Sequence, residues 1–325
     1  MQRLIVSILS LALTFASFIA RASGDARTTE LLAQARAALG GEPRLAKVQG
    51  LSAAGTFQRQ AGERQLQGEL TVDVQLPDKM VRTESMNPIG GATIVVLEGV
   101  NGDQVLRDTR TINGGPNMMI RMAPRGGADA EAQALRNQRA ELARFAIAML
   151  LTSPPSMPLE YAYAGEAESD EGQADVVDAK GPGSFAVKLF LDKKSHRPLM
   201  LQYRGAAPRL VMQTQQVQRG AVHGAQPGSE QPAPQLPFDA PQIVDITMFL
   251  DDYRSVDGVL LPHHLSRSID GRPNEEWTFK TIKLNPAFRA DTFSGNRAGG
   301  PGWAGQAGRA GSSSFFFVSS CLRGS

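Results

Sequence analysis

The sequence predicts a mainly β chain of the α+β class, built on an antiparallel sheet with one long helix, and three observations predict it. The first is the stretch Met248 to Phe293, three extended runs punctuated by Asp257-Gly258 and Asp270-Gly271. Asp-Gly supplies the positive φ angles that two-residue hairpin turns need. The second is alternation: in the middle run Val259, Leu261, Leu265 and Ile269 share one parity and Ser266 and Ser268 the other, the period of a half-buried strand. The third is spacing, since the strand-like runs of the N-terminal half follow one another too closely to leave room for crossover helices, which makes their pairing antiparallel.

Taken in order, Met1 to Ala22 has the layout of a secretory signal: Arg3, an apolar core from Leu4 to Ile19, then Ala20-Arg21-Ala22. Cleavage after Ala22 is expected. Thr14, Ser17 and Arg21 leave the apolar run short for a retained anchor, which needs about 20 residues, so no stable membrane insertion of the mature chain is expected. No cysteine lies near the cleavage site to be acylated, and the chain's one cysteine, Cys321, cannot form an internal disulfide. A periplasmic protein of this kind rests on its apolar core. The composition of 42% apolar and 20% charged residues suits a globular domain over 23–294. A net charge of +2, scattered basic residues and 6% aromatics argue against nucleic acid.

Thr28 to Leu39 reads as a short amphipathic helix with Leu31, Leu32, Ala35 and Leu39 as its stripe and Gly40-Gly41 as its stop. Strands are expected over Leu51–Gln58, Gln65–Leu76, Lys79–Ser85, Thr93–Leu97 and Gln104–Asp108, separated by Asn-Pro, Gly-Gly and Asn-Gly breakers. The second is the clearest, with Leu66, Leu70, Val72, Val74 and Leu76 on one parity. A Gly, Pro and Met-rich loop, Asn113 to Gly127, precedes the one long helix, which Asp129 can cap and in which Leu135, Leu142, Phe145, Ala146, Met149 and Leu150 share a face up to Pro154-Pro155. Strands resume at Leu159–Glu166, Ala174–Ala179, Phe185–Asp192, Pro198–Tyr203 and Leu210–Gln218. Residues 219–241, rich in Gly, Pro, Gln and Ala, read as an exposed insertion, and 295–325 as a disordered tail.

The chemistry-bearing residues form no enzyme motif. His263-His264 is the one His pair, but successive strand residues point to opposite faces, and zinc wants three or four convergent ligands. Met118, Met119 and Met122 suit adaptable apolar lining better than a soft-metal site. Ser195-His196, with Asp192 and Lys193, reads as a polar turn, because a triad needs geometry that adjacent residues rarely give. Gly90-Gly91 and Gly114-Gly115 lack the Lys-Ser/Thr of a phosphate loop. No metal or cofactor is expected.

Ala37-Ala38-Leu39-Gly40-Gly41 leading through Leu45 and Val48 to Gly50-Leu51 and Gly55, Leu191-Asp192 with Arg197-Pro198-Leu199, and Asp252-Tyr253-Arg254 with Val256-Asp257-Gly258-Val259 and Leu261-Pro262 resemble the outer-membrane lipoprotein-sorting family of exported bacterial proteins. The resemblance implies an unclosed, strongly curved antiparallel half-barrel with covering helices, whose concave apolar face can hold an acyl chain, and hence a hydrophobic ligand or lipoprotein as partner. The sorting chaperone of that family is shorter than this chain and lacks its 219–241 insertion and its tail. The alternating strands offer a long apolar row with few helices to cover it. The helix from Asp129 to Leu151 is therefore expected to wall a pocket lined by Phe145, Met149 and Leu150 with Val72, Val74, Leu189 and Leu261. The other reading is an envelope interaction or sensor scaffold whose cavity side chains fill.

Overall fold

A computed structural model describes residues 26–62, 64–87, 92–112, 128–170, 172–207 and 242–294. The signal segment, the run Leu210–Gln218, the insertion, Met118, Met119, Met122, Cys321 and the tail lie outside these residues. A first helix, α1, spans residues 26–38. Its expected stripe is buried, and it stops as expected: Gly41 N–H donates to the Arg36 carbonyl at 2.9 Å and Gly40 N–H to that of Ala37 at 3.1 Å, the paired bonds that end a helix on glycine. The Leu39 carbonyl then accepts from Leu260 N–H at 2.9 Å, docking the end of α1 on the Asp257-Gly258 turn. A single turn, α2 (Glu42–Leu45), follows, and α3 (Ala128–Leu150) is the long helix.

Twelve strands make one sheet: β1 (Gly50–Ala61), β2 (Arg64–Gln75), β3 (Lys79–Met86), β4 (Thr93–Asn101), β5 (Gln104–Ile112), β6 (Glu160–Ser169), β7 (Gly172–Gly181), β8 (Phe185–Asp192), β9 (Pro198–Ala206), β10 (Ile243–Val256), β11 (Val259–Ile269) and β12 (Arg272–Leu284). Their order is β5-β4-β3-β2-β1-β12-β11-β10-β9-β8-β7-β6, antiparallel throughout. Both Asp-Gly pairs form the hairpin turns, with φ of 51° and 78° at Asp257-Gly258 and 47° and 76° at Asp270-Gly271, the double positive φ of a type I′ turn. The three strands that these turns join lie mid-sheet, where β12 pairs with β1 and links the two wings.

The sheet is curved and unclosed. Arg139 of α3 pairs with Asp103 in the β4–β5 turn, while one helical turn away Arg136 lies 3.7 Å from where a Cβ at Gly183, between β7 and β8, would stand. On a flat sheet β4 and β8 would be eight spacings apart, roughly 38 Å, so the wings curl around the helix. The register puts Leu51, Ala53, Phe57, Val72, Val74, Leu189, Leu201, Leu261, Leu265, Trp277, Phe279 and Ile282 on this inner face, where they join α1 and α3 in one buried cluster. On the outer face Phe288 and Phe293, after β12, cover Val81, Leu97 and Leu106.

Gly55 marks the tightest packing of the central pair. Beside it the β1–β12 register shifts, and a Cβ there would collide with the Thr278 carbonyl oxygen and stand 2.8 Å from Phe279 Cα. Both obstacles are backbone and cannot rotate away. Gly55→Ala should therefore cost at least about 2 kcal/mol, read as a lowered urea midpoint, while Gly62→Ala, whose Cβ would meet nothing within 4 Å, carries only the mild penalty of its positive φ.

Candidate functional site

The inner face and the helix lying in it are the candidate site. All seven residues expected to line a pocket are brought into the one buried cluster: Val72, Leu189, Leu261 and Met149 at 0% exposure, Val74 and Phe145 at 3%, Leu150 at 4%. From Leu142 to Leu151 every residue of the helix and its exit except Arg144 is buried. Leu142, Ala143, Phe145 and Ile147 to Leu151 join the inner face of the sheet and the stripe of α1 in that cluster. Arg36 of α1 clasps the exit, donating from Nε and Nη2 to the Leu151 carbonyl at 3.3 and 3.2 Å.

The trough is not wholly apolar. Along β1 the inner face reads Leu51, Ala53, Gly55, Phe57 and then Arg59; along β12 Ile282, Phe279, Trp277 and then Glu275; along β11 Val259, Leu261, His263, Leu265 and then Arg267. The register sets Arg59 against Glu275 and Glu275 against Arg267, a charged rung across the three central strands. Arg59 donates to both oxygens of Glu84, at 2.6 and 3.1 Å, and to Glu275. Arg82 bridges Glu84 at 3.2 Å and Glu98 at 3.1 Å. From α3, Glu141 accepts from Arg267 Nη2 at 2.9 Å and from Arg144 Nη1 at 2.6 Å. The guanidinium of Arg267 lies 4.7 Å from the Trp277 ring and that of Arg144 4.1 Å from Tyr203, cation–π distances.

Glu141 and Glu275 stay ionised although the site is half-dry. Burial pushes Glu141 up, but Arg267, Arg144 and Arg82 outweigh it and hold the carboxyl at about 2, against an ordinary 4.5. Glu275 is likewise raised by burial and more strongly lowered by Arg59, Arg267 and Arg82. Burial alone would lower Arg59 and Arg267, yet their acidic neighbours raise both. Sequence reading missed this network, though the signal was legible: Arg267 shares its parity with Leu265 and Ile269.

The other groups singled out in the sequence serve structure. His263 is buried on the inner face with Nδ1 3.1 Å from the Leu261 carbonyl, while His264 looks outward opposite Thr278. The Ser195 hydroxyl and N–H both donate to Asp192 at 2.6 Å, forming the polar turn. Among the described residues no three His, Cys, Asp or Glu side chains converge as a metal would require. An open depression of ≈ 560 Å³ lies at β1, β2 and β3, walled by Thr56, Phe57, Gln58, Gln67, Gly68, Glu69, Ser85, Asn87 and Thr93.

The class that this fold defines is therefore a curved, unclosed antiparallel sheet holding a helix in its trough. No family model and no curated protein matches the chain. Among solved structures it is similar to a LolA superfamily protein from Nitrosomonas europaea at 10% identity and TM-score 0.43, over 82% of this chain and 97% of that one. It is also similar to a DUF1329 family protein from Desulfovibrio piger, at 10% identity and TM-score 0.41 over 82% of this chain and 96% of that one. A third likeness is to an outer-membrane lipoprotein-sorting protein domain from Vibrio parahaemolyticus, at 9% identity and TM-score 0.39, over 81% and 94%.

The shifted carboxyl gives a pH test. A folded-state value below the ordinary 4.5 means that ionised Glu141 stabilises the fold fully above that pH, and that this contribution is lost as pH falls toward about 2. Glu141→Gln should lower stability at pH 7 by about 2 kcal/mol, because it leaves Arg267 and Arg144 short of a partner. Urea denaturation of parent and variant should show the gap closing between those two pH values and unchanged above pH 5.

Proposed function

We propose that this is a non-enzymatic protein of the bacterial periplasm that binds an apolar ligand, a lipid or the acyl chain of a lipoprotein, in the trough that α3 occupies. One observation carries the reading: the trough buries the C-terminal half of α3, every residue from Leu142 to Leu150 except Arg144, against an apolar lining. A lining of Leu, Val, Met and Phe that accepts an apolar helix accepts an alkyl chain on the same terms, at roughly 25 cal/mol per Å² of apolar surface removed from water, and its Met content suits a pliant guest. Helix and ligand then compete for one place. The layout of Met1 to Ala22 supports delivery to the periplasm, and the intact mass of protein recovered from that compartment should correspond to a chain starting at Ser23; full-length chain in the membrane fraction would contradict it.

The complete burial of the seven lining residues favours a second reading, in which the helix never leaves and the fold is an interaction scaffold of the envelope. Titration with a fluorescent fatty acid separates the two. If α3 competes with the ligand, the parent binds saturably at micromolar probe, and Phe145→Ala, which weakens the helix's own hold, binds more tightly. If the trough is permanently filled, neither protein binds and Phe145→Ala costs about 3 to 5 kcal/mol of stability as a plain core truncation.

A further inference from the structure

The helix in the trough shows the order of chemistry that the trough accepts. Toward α1 it presents the apolar turns that end at Leu150, and at the charged rung it presents a carboxylate, Glu141. The sheet matches this order strand by strand, since β1, β12 and β11 each run from aliphatic and aromatic side chains to Arg59, Glu275 and Arg267. The three sheet arginines are not equally engaged. Arg59 is shared by Glu84 and Glu275, and Arg82 by Glu84 and Glu98, all on the sheet itself. Arg267 takes its close partner from α3; its contact with Glu275 is 3.6 Å long and its Nε–H has no hydrogen-bond partner. Any guest that displaces α3 removes Glu141 and Arg144 together and leaves Arg267, whose side chain is only 15% exposed, with the long contact to Glu275 as its remaining ion pair.

We infer that the ligand of this trough is an anionic amphiphile, a long alkyl chain ending in a carboxylate, with the chain directed toward α1 and the carboxylate replacing Glu141 on Arg267. The inference rests on the apolar-ligand reading and sharpens it. A neutral chain of the same length gains the same apolar burial but leaves the Nη2–H and Nε–H of Arg267 without a carboxylate acceptor, and a buried charged donor left without its acceptor is costly where a charge-assisted hydrogen bond is favourable. Arg267 is thus the residue that sets head-group specificity. Trp277, stacked beneath it, holds the guanidinium in place and sheds water from it.

The test compares palmitate with hexadecanol, equal in chain length and different in charge, by displacement of a neutral fluorescent alkyl probe from the full chain at pH 7 and below the aggregation threshold of either compound. Palmitate should bind at least roughly tenfold more tightly than hexadecanol. In Arg267→Gln the ratio should fall to near one with hexadecanol still bound, and Arg267→Lys should keep part of the preference. Equal affinities in the parent, or an unchanged ratio in Arg267→Gln, would overturn the assignment of an anionic head group and leave apolar binding standing. Binding of neither compound would remove apolar binding and this inference together. Should Arg267→Gln not fold, the ratio measured on the parent and on Arg267→Lys decides alone.

Discussion

The pairing of β1 with β12 is the constraint on which the rest of the structure depends. It sets Leu51 against Leu284 across more than two hundred residues of chain, and it turns two meanders, β2 to β5 and β6 to β11, into the wings of one sheet. The entropy of closing so long a loop grows only with the logarithm of its length, so nine paired positions, with Phe57 opposite Trp277 and Trp277 edge-on to Phe279, can hold it. The Asn285 side chain reinforces the seam, accepting from the N–H groups of Gln49 and Gly50 at 2.7 and 3.1 Å. Every feature of the trough lies at or beside this seam: the charged rung crosses it, α1 caps one end through the β10–β11 turn, and the wings curl from it around α3.

The charged rung has a cost that apolar residues would not incur. Ion pairs taken out of water repay their desolvation poorly, and well-packed hydrophobic replacements often do as well or better. The network in the trough nonetheless satisfies most of its members twice over, and its four arginines and four glutamates balance: Arg59, Arg82, Arg144 and Arg267 against Glu84, Glu98, Glu141 and Glu275. Such an arrangement fixes one placement of the helix. An apolar helix in an apolar trough can slide or rotate at little cost, whereas Glu141 on Arg267 and Arg144 over Tyr203 tie α3 to β11 and β9 in one register. Arg267 is the sheet arginine whose close partner, Glu141, comes from outside the sheet.

The sequence by itself determined the local structure. Alternation placed Val72 and Val74 on the buried face of β2 and Val259, Leu261 and Leu265 on that of β11; Asp-Gly specified both hairpins; Gly40-Gly41 ended α1; and the apolar stripe with its Pro-Pro stop bounded α3 to within a residue or two. Each of these signals is carried by neighbours in sequence, through φ preferences and the periods of strand and helix, and so is legible without the fold. The tertiary structure alone decided which strands meet and what meets across the trough. No local signal distinguishes a C-terminal hairpin at the edge of a sheet from one at its centre, so the position of β10 to β12 between the wings was not legible. The inward parity of Arg59, Arg82, Glu84, Arg267 and Glu275 was visible strand by strand, yet each looked like an isolated exception on an apolar face. Only the register of β1, β12 and β11, and the helix laid against them, brings these charges to within hydrogen-bonding distance, because opposite charges buried far apart in sequence are tolerable only once the fold has made them neighbours.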